Sequence, residues 1–371
     1  MSDGHPTGLG VAESLPQTQH PAAEHLPAPH AIWLDCDPGH DDVFAIILAA
    51  YNPRCNLLGI STCFGNQTLE KVTQNTLDVT AAAGLEHIGV VAGQASPLLQ
   101  PMPLLCPAIH GESGLDGPSG GRQLPISSRP LMAGKAVNVM YEAICRQHAE
   151  STAANPGAVV KVRLVCIAAL TNAAVLLILY PEVIPMIEIV IMGGSMGVGN
   201  TGPVMEFNIQ SDPDAARVVF ESRVPLTMVP LEVTHMVRAT PEILLRIGRG
   251  AAVPTPFLFA MQQLLLFFAE TYSRVFSFAD PPLHDPCAVA YVVAPQLFKA
   301  TLMRVDIETA SPLSSGQTVC DVWGQSGRPV NCTVCTSIDV DAFWEMTIAA
   351  LHAADAVSPM NTPAALAKTA Q

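Results

Sequence analysis

The stretch Ala31-Ile32-Trp33-Leu34-Asp35-Cys36-Asp37-Pro38-Gly39-His40-Asp41-Asp42-Val43-Phe44 decides how this chain is read. Four carboxylates fall within the eight residues 35–42. The apolar run before them, 31–34, is short and bounded, which predicts a buried strand. The run after them, 43–50, is rich in good helix formers and predicts a helix. Pro38-Gly39 supplies turn chemistry between the two. The acids therefore belong to the C-terminal end of a strand and the first turn of a helix, where open α/β sheets hold their ligands.

Four carboxylates this close repel one another unless a cation lies among them. A hard ion such as calcium, which takes about six to eight oxygen ligands in irregular geometry, meets that need. A plain acidic loop that caps a helix needs one Asp, not four. An EF-hand needs a Glu at the twelfth loop position, and counting from Asp35 that residue is Ile46, so that reading fails. An aspartyl-nucleophile phosphatase also places Asp-x-Asp after a strand. The chain offers it neither a Gly-Lys-Ser/Thr phosphate loop nor an equally clear lysine partner.

Strand and helix signals alternate downstream. Strands are expected at 57–62, 88–92, 159–167, 187–192 and 226–230, then around Leu302, Thr318 and Val334. Helices are expected after Thr68 to about Ala83, at 135–148, at 173–180 behind a Thr171-Asn172 cap, and from Asp212-Pro213 onward. Two more run to about Phe278, another covers 287–293, and a last one 341–354. Residues 97–130, rich in Pro, Gly and Ser, are expected to be loop. This alternation means an α/β fold with an open, largely parallel sheet flanked by helices. It makes one domain over 29–371. Residues 1–28 show no periodicity and are expected to be a disordered tail, with no secretory signal and no mitochondrial transit pattern. No run of eighteen apolar residues predicts a membrane span.

A net charge of −14 argues against a nucleic-acid partner, because phosphates call for basic patches. Ten cysteines without framework spacing fit reduced thiols used as small hydrophobes, hence a cytoplasmic location. Cys332 and Cys335 form a lone CxxC with no second pair to complete a zinc site.

Unusual polar residues recur just after expected strands: Asp37 to Asp42, Asn66, Thr171, Asn200 to Asn208, and His284 with Asp285. Each has an ordinary reading alone, Asn66 as a turn residue, Thr171 as a helix cap, His284 as a loop histidine, Asp285 as the N-cap before Pro286. Loops at one edge of such a sheet converge, so together they predict a polar cup over an acidic floor.

With 35–42, the motifs Gly65-Asn66-Gln67-Thr68, His110-Gly111-Glu112-Ser113-Gly114, Leu170-Thr171-Asn172, Met192-Gly193-Gly194, Glu206-Phe207-Asn208 and His284-Asp285-Pro286 follow in order. On these the chain resembles the inosine-uridine-preferring nucleoside hydrolases over residues 31 to about 355. The resemblance implies hydrolysis of the N-glycosidic bond of ribonucleosides to free ribose and base. It implies calcium held by Asp37, both oxygens of Asp42, the carbonyl of Thr171 and Asp285, with the ribose 2′- and 3′-hydroxyls completing the shell. Asp41 and Asn208 would hold those hydroxyls, and Asn200 and Glu206 would reach the 5′-hydroxyl. Met192 joins the substrate-binding set. Asn66 would place the ribose and the attacking water, and Asp37 would take a proton from a calcium-bound water. His284 is the candidate general acid, and His110 is expected near the base on a mobile loop. The implied partners are a ribonucleoside, water, and further copies of the chain in a homodimer or homotetramer.

The chemistry is coherent. N-glycoside cleavage resembles O-glycoside cleavage in its oxocarbenium-like transition state, which carboxylates stabilise. A metal activates and orients water, and His titrates where a leaving base needs its proton. One departure stands out. Leu231-Glu232-Val233-Thr234-His235 carries Glu where the family usually has Asp, and the extra methylene is expected to shift a contact behind the site. Residues 272–282, around the base, would set base preference. The rivals are a calcium-dependent sugar or nucleoside binder without turnover, and a magnesium-dependent phosphohydrolase. Asp37 and His284 are both present, which disfavours the first. The second needs a cationic phosphate clamp that the motifs do not supply.

Overall fold

The computed structural model describes residues 29–154, 156 and 160–362; the tail expected over 1–28 lies outside them. The elements run β1 (His30–Cys36), α1 (Asp42–Tyr51), β2 (Cys55–Thr62), α2 (Leu69–Ala82), β3 (Val90–Ala92), α3 (Pro107–His110), α4 (Ala136–Ala154), β4 (Val162–Cys166) and α5 (Thr171–Leu179). There follow β5 (Ile187–Met192), α6 (Phe207–Ser211), α7 (Pro213–Glu221), β6 (Leu226–Val229), α8 (Leu231–Thr234), α9 (Pro241–Ile247), α10 (Pro256–Phe276) and α11 (Pro286–Val293). The chain closes with β7 (Phe298–Ile307), β8 (Thr318–Asp321), β9 (Cys332–Ile338) and α12 (Val340–Val357).

The strands form one sheet in the order β3-β2-β1-β4-β5-β6-β9-β7-β8. From β3 across to β9 every pairing is parallel. Only β7 runs against its neighbours β8 and β9. The expected open, largely parallel sheet is therefore the observed one. Side chains alternate between its faces, as a strand's period of two requires. Ile32, Leu34 and Cys36 of β1 join the core under α1, α11 and α12. Ala31 and Trp33 join the opposite core, under α4, α5 and α7. The helix α1 is buried all round from Asp42 to Ala49, the pattern of a helix enclosed on every side. It lies against α11 and α12.

The same period decides the CxxC. Cys332 packs in one core and Cys335 in the other, because residues three apart on a strand face opposite ways. They cannot share an ion. Several boundaries differ from expectation. The segment 97–130 contains the short helix α3, and three helices, not two, lie between β6 and Phe278. The helix α4 extends to Ala154. Among the described residues, no helix is long and apolar enough to cross a membrane.

The chain builds β1, β2 and β3 outward, then returns to lay β4 on the other side of β1. At such a reversal the loops leaving the two strands part and open a crevice at their C-terminal ends. The loops leaving β1 and β4 carry Asp37 to Asp41 and Ile167 to Leu170.

Candidate active site

The turn after β1 is held by its own acids. Asp42 accepts the N–H of Asp37 through Oδ1 at 3.1 Å and that of Gly39 through Oδ2 at 2.9 Å. Asn66, delivered by β2, donates its backbone N–H to Asp37 Oδ2 at 2.7 Å. Its amide donates to the Asp37 carbonyl and to Asp42 Oδ2, both at 3.1 Å. Gly39 is required by crowding, since a Cβ there would lie 2.3 Å from His110 Nδ1 and 2.8 Å from Asn66 Nδ2. Neither Asp41 nor Asp285 caps its helix with a side-chain bond, so the capping reading of these carboxylates fails. Asp41 Oδ2 instead faces the N–H groups of His284 and Asp285 at 3.3 and 3.4 Å.

Oxygens of Asp41, Asp42 and Asp285, all buried, lie within 4.8 Å of one another. Asp37 Oδ1 is buried without a hydrogen-bond partner. Burial, and then neighbouring carboxylates, push Asp37 and Asp285 well above the usual range. Burial raises Asp41 to about 6, and burial with the charge of Asp41 raises Asp42 to about 7. The lining of the cavity above contains no lysine or arginine. The cluster of Asp41, Asp42 and Asp285, with the orphaned Asp37 oxygen linked to it through Asp42 and without a protein counter-charge, fits a divalent cation. Asp35 stands apart. It accepts from Ser61 Oγ and, at 2.8 Å, from Asn172 Nδ2, tying β1, β2 and α5 together beneath the cup.

Thr171 corrects an expectation. It is the first residue of α5, not its cap, and its hydroxyl donates to Asp212 Oδ2 at 2.8 Å. Asn172 also turns inward, to Asp35 and the Thr62 carbonyl. The capping rule lost to three buried acceptors, Asp212 between α6 and α7, Asp35 of β1 and the Thr62 carbonyl of β2. The expected Asp212-Pro213 start does hold, with Asp212 accepting the N–H of Ala215 at 3.0 Å.

The cavity over the acids is lined by Asp41, Asn66, His110, Met192, Asn200, Glu206, Asn208, His284 and Asp285. All eight residues singled out for substrate contact are thus brought together. Glu206 caps α6 by accepting from Asn208 and Ile209, and also receives the N–H of Gly194 at 2.8 Å. Burial raises its carboxyl to about 7. Asn200 accepts the Phe207 N–H at 2.9 Å. Asn208 donates to the carbonyls of Ile167 and Met192, which fixes its amide between the ends of β4 and β5. Glu232 Oε1 receives the N–H groups of Met196 and Gly197 at 2.8 and 3.0 Å. The longer acid therefore pins the loop after β5 from behind.

Both ring nitrogens of His284 are engaged, Nδ1 with Thr234 Oγ1 and Nε2 with the Tyr272 hydroxyl, each at 2.7 Å. Burial and the charge of His235 hold its pKa well below the usual value, and burial pushes the Tyr272 phenol well up. His110 ends α3 and is buried, its Nδ1 3.2 Å from His40 Nδ1. Of the roof, where Phe268, Tyr272 and Phe276 join Ile109 and Cys106, the sequence pointed to 272–282 but not to Phe268, Ile109 or Cys106. The signal of the three rings was legible as aromatics four residues apart, which share one face of a helix.

Fold and cup together define an α/β protein with a cation-ready acidic site at the switch point of its sheet. Residues 32–345 match the sequence profile described as inosine-uridine preferring nucleoside hydrolase. The chain is similar to a probable ribonucleoside hydrolase of Dictyostelium discoideum, 44% identical over 329 residues, which span 86% of this chain and 94% of that one. It is 41% identical over 323 residues to the pyrimidine-specific ribonucleoside hydrolase RihA of Shewanella sp. (strain MR-7), covering 86% of this chain and 95% of that protein. Among solved structures, the purine-preferring ribonucleoside hydrolase from Gardnerella vaginalis superposes with a TM-score of 0.78 at 27% identity, over 88% of this chain and 99% of that one. The chain belongs to the inosine-uridine preferring nucleoside hydrolase family. Its activity is that of the class, the hydrolysis of ribonucleosides to ribose and free base.

Proposed function

We propose that the cup cleaves pyrimidine ribonucleosides on a bound calcium ion, with Asp37 as the base. The observation that carries this reading is the orphaned Asp37 Oδ1 beside the buried cluster of Asp41, Asp42 and Asp285. Asp37, Asp42, Asp285 and the Thr171 carbonyl would hold the ion, with Asp41 within reach of it. When bound, calcium supplies a Lewis acid that polarises water and engages the ribose diol.

The chain's own groups divide the remaining work. Asp37 Oδ1 takes a proton as the water oxygen bonds to C1′, while Asn66 holds the other oxygen of that carboxylate. The C1′–N bond breaks and its electron pair leaves with the base. Positive charge growing on the ribose is stabilised by the buried carboxylates around it. Asp41 and Asn208 position the 2′- and 3′-hydroxyls, and Asn200 and Glu206 the 5′-hydroxyl. Phe268, Tyr272 and Phe276 cover the base and exclude water. The departing base takes its proton from the Tyr272–His284 pair, since His284 Nε2 already bonds the phenol.

Pyrimidine preference is supported by the names of relatives from Shewanella and Escherichia coli at 38–41% identity. The ten free thiols support a reducing, cytoplasmic setting. The family resemblance supports a homodimer or homotetramer, which light scattering would count. The deciding assay offers uridine, cytidine, inosine and uridine monophosphate and follows free ribose, base and phosphate. Ribose and base from uridine and cytidine, faster than from inosine, is the expected result. Phosphate from the nucleotide, or binding without turnover, would overturn it.

A further inference from the structure

At the opposite end of the sheet from the cup lies a crevice of about 1040 Å³. It follows the N-terminal ends of β1, β4, β5, β6 and β9. Its lining holds Arg54, Arg163, Arg223, Arg304 and Arg328 against two acids, Glu188 and Glu221. In a chain of net charge −14 with 18 basic side chains, more than a quarter of the cations converge on one place. They arrive from separate elements. Arg54 precedes β2, Arg163 lies in β4, Arg223 precedes β6, Arg304 lies in β7 and Arg328 precedes β9.

The acids nearby do not neutralise them. Glu188 serves both Arg163, at 3.0 Å, and Lys161, at 3.9 Å. Asp306 serves both Arg304 and, at 2.6 Å, Arg328. The side chains of Arg54 and Arg223 have no ion pair among the described residues. Arg223 also sits in the left-handed region, with φ 67°, a conformation that costs a side-chain-bearing residue energy and that surrounding structure must maintain. Burial and the charges of Arg163 and Arg54 hold the His30 imidazole below its usual pKa, so the fields of those two arginines overlap at the mouth of β1.

The volume suits a small molecule, and guanidinium forks match phosphate oxygens in pairs. Four interstrand steps separate β4 from β7, roughly 19 Å between backbones, with Arg223 between the two groups and arginine side chains entering from both. One phosphate cannot touch both groups, whereas a chain of phosphates can. We propose that this crevice is a binding site for a small polyphosphate anion, either inorganic or carried by a nucleotide. It is independent of the chemistry assigned to the acidic cup.

The test is titration calorimetry on the full chain with inorganic tripolyphosphate, ATP and orthophosphate, at fixed salt. Tripolyphosphate and ATP should bind alike, with orthophosphate at least about tenfold weaker. The double variant Arg54→Glu, Arg223→Glu removes two charge-assisted contacts and should weaken tripolyphosphate about 100-fold, while its unliganded melting temperature stays at the parental value. Asp41→Asn, in the cup, should leave that binding unchanged. Three results would overturn the proposal. One is no binding. Another is binding by ATP alone, which would mean that the nucleoside is what is read. The third is binding that survives the double variant but disappears in Asp41→Asn, which would mean the polyphosphate only sequesters the metal of the cup.

Discussion

Asp37 holds its two carboxylate oxygens in different states, one accepting the Asn66 N–H and the other buried without a partner. Replacing it by Asn keeps an acceptor for Asn66 but removes the ability to take a proton. Asp37→Asn should therefore lower kcat roughly 10²–10⁴-fold, the usual worth of a general base, with KM for uridine near the parental value. Equal damage to both would make Asp37 chiefly a ligand-holding group. The same logic applies to the leaving base. Tyr272→Phe keeps the ring in the roof and removes only the hydroxyl that His284 Nε2 touches. Uridine turnover should fall by about 10²-fold or more, while nitrophenyl riboside, whose leaving group needs no proton, keeps close to its parental rate. Undiminished uridine turnover would assign the proton to His284 alone, and parallel losses on both substrates would make the pair a structural support.

Among the elements, β1 and β2 matter most, because they deliver Asp37 and Asn66 from adjacent strands. Their packing has little slack. Trp33 pairs in register with Gly59, and its ring lies where a side chain at 59 would go, 2.7 Å from an added Cβ. The indole cannot retreat, being 1% exposed and bonded through Nε1 to Ser61 Oγ at 3.0 Å. Gly59→Ala should cost about 1–3 kcal/mol by overpacking, read as a lower denaturant midpoint at unchanged slope. Turnover per folded molecule should hold, since the acids lie beyond the strand ends. An unchanged midpoint would show that the indole shifts freely.

Across the whole molecule, the sheet separates charge, with buried carboxylates past its C-terminal edge and arginines along its N-terminal edge. The acidic end is the costlier one. Without a cation, burial and neighbouring carboxylates raise Asp37, Asp42 and Asp285 above the usual carboxylate range, so the bare site disfavours their charged forms. Prolonged chelation should therefore abolish turnover and lower the melting temperature. Calcium at about 100 times its dissociation constant should return about 2.7 kcal/mol of stability. Magnesium at equal concentration should return less, since it demands near-octahedral geometry. Full activity and an unshifted melting curve in protein shown metal-free by elemental analysis would remove the cation from the account.

Local sequence was enough for β1, the acidic turn and α1, because an apolar run, Pro38-Gly39 and a set of helix formers act over a few residues. It was also enough for the parallel sheet, since strand and helix signals alternate at a spacing that permits little else. Asp41, Asn66, Met192, Asn200, Glu206 and Asn208 were legible for the same reason, standing at or after the C-terminal ends of β1, β2 and β5, whereas His110 ends α3 and His284 follows α10, so those two were legible only from their motifs. Other features depended on which strands became neighbours. Thr171 reads as a cap until Asp212 is brought within 2.8 Å of its hydroxyl. His284 reads as a free acid until α10 sets the Tyr272 phenol on Nε2. The arginines of the lower crevice are scattered from residue 54 to residue 328 and have no common motif. Only the strand order, which places β4, β5, β6, β9 and β7 side by side, gathers their charges into one groove. Periodicity is a short-range property of the chain, whereas hydrogen-bond partners and electrostatic fields are set by distances that exist only after the sheet has closed.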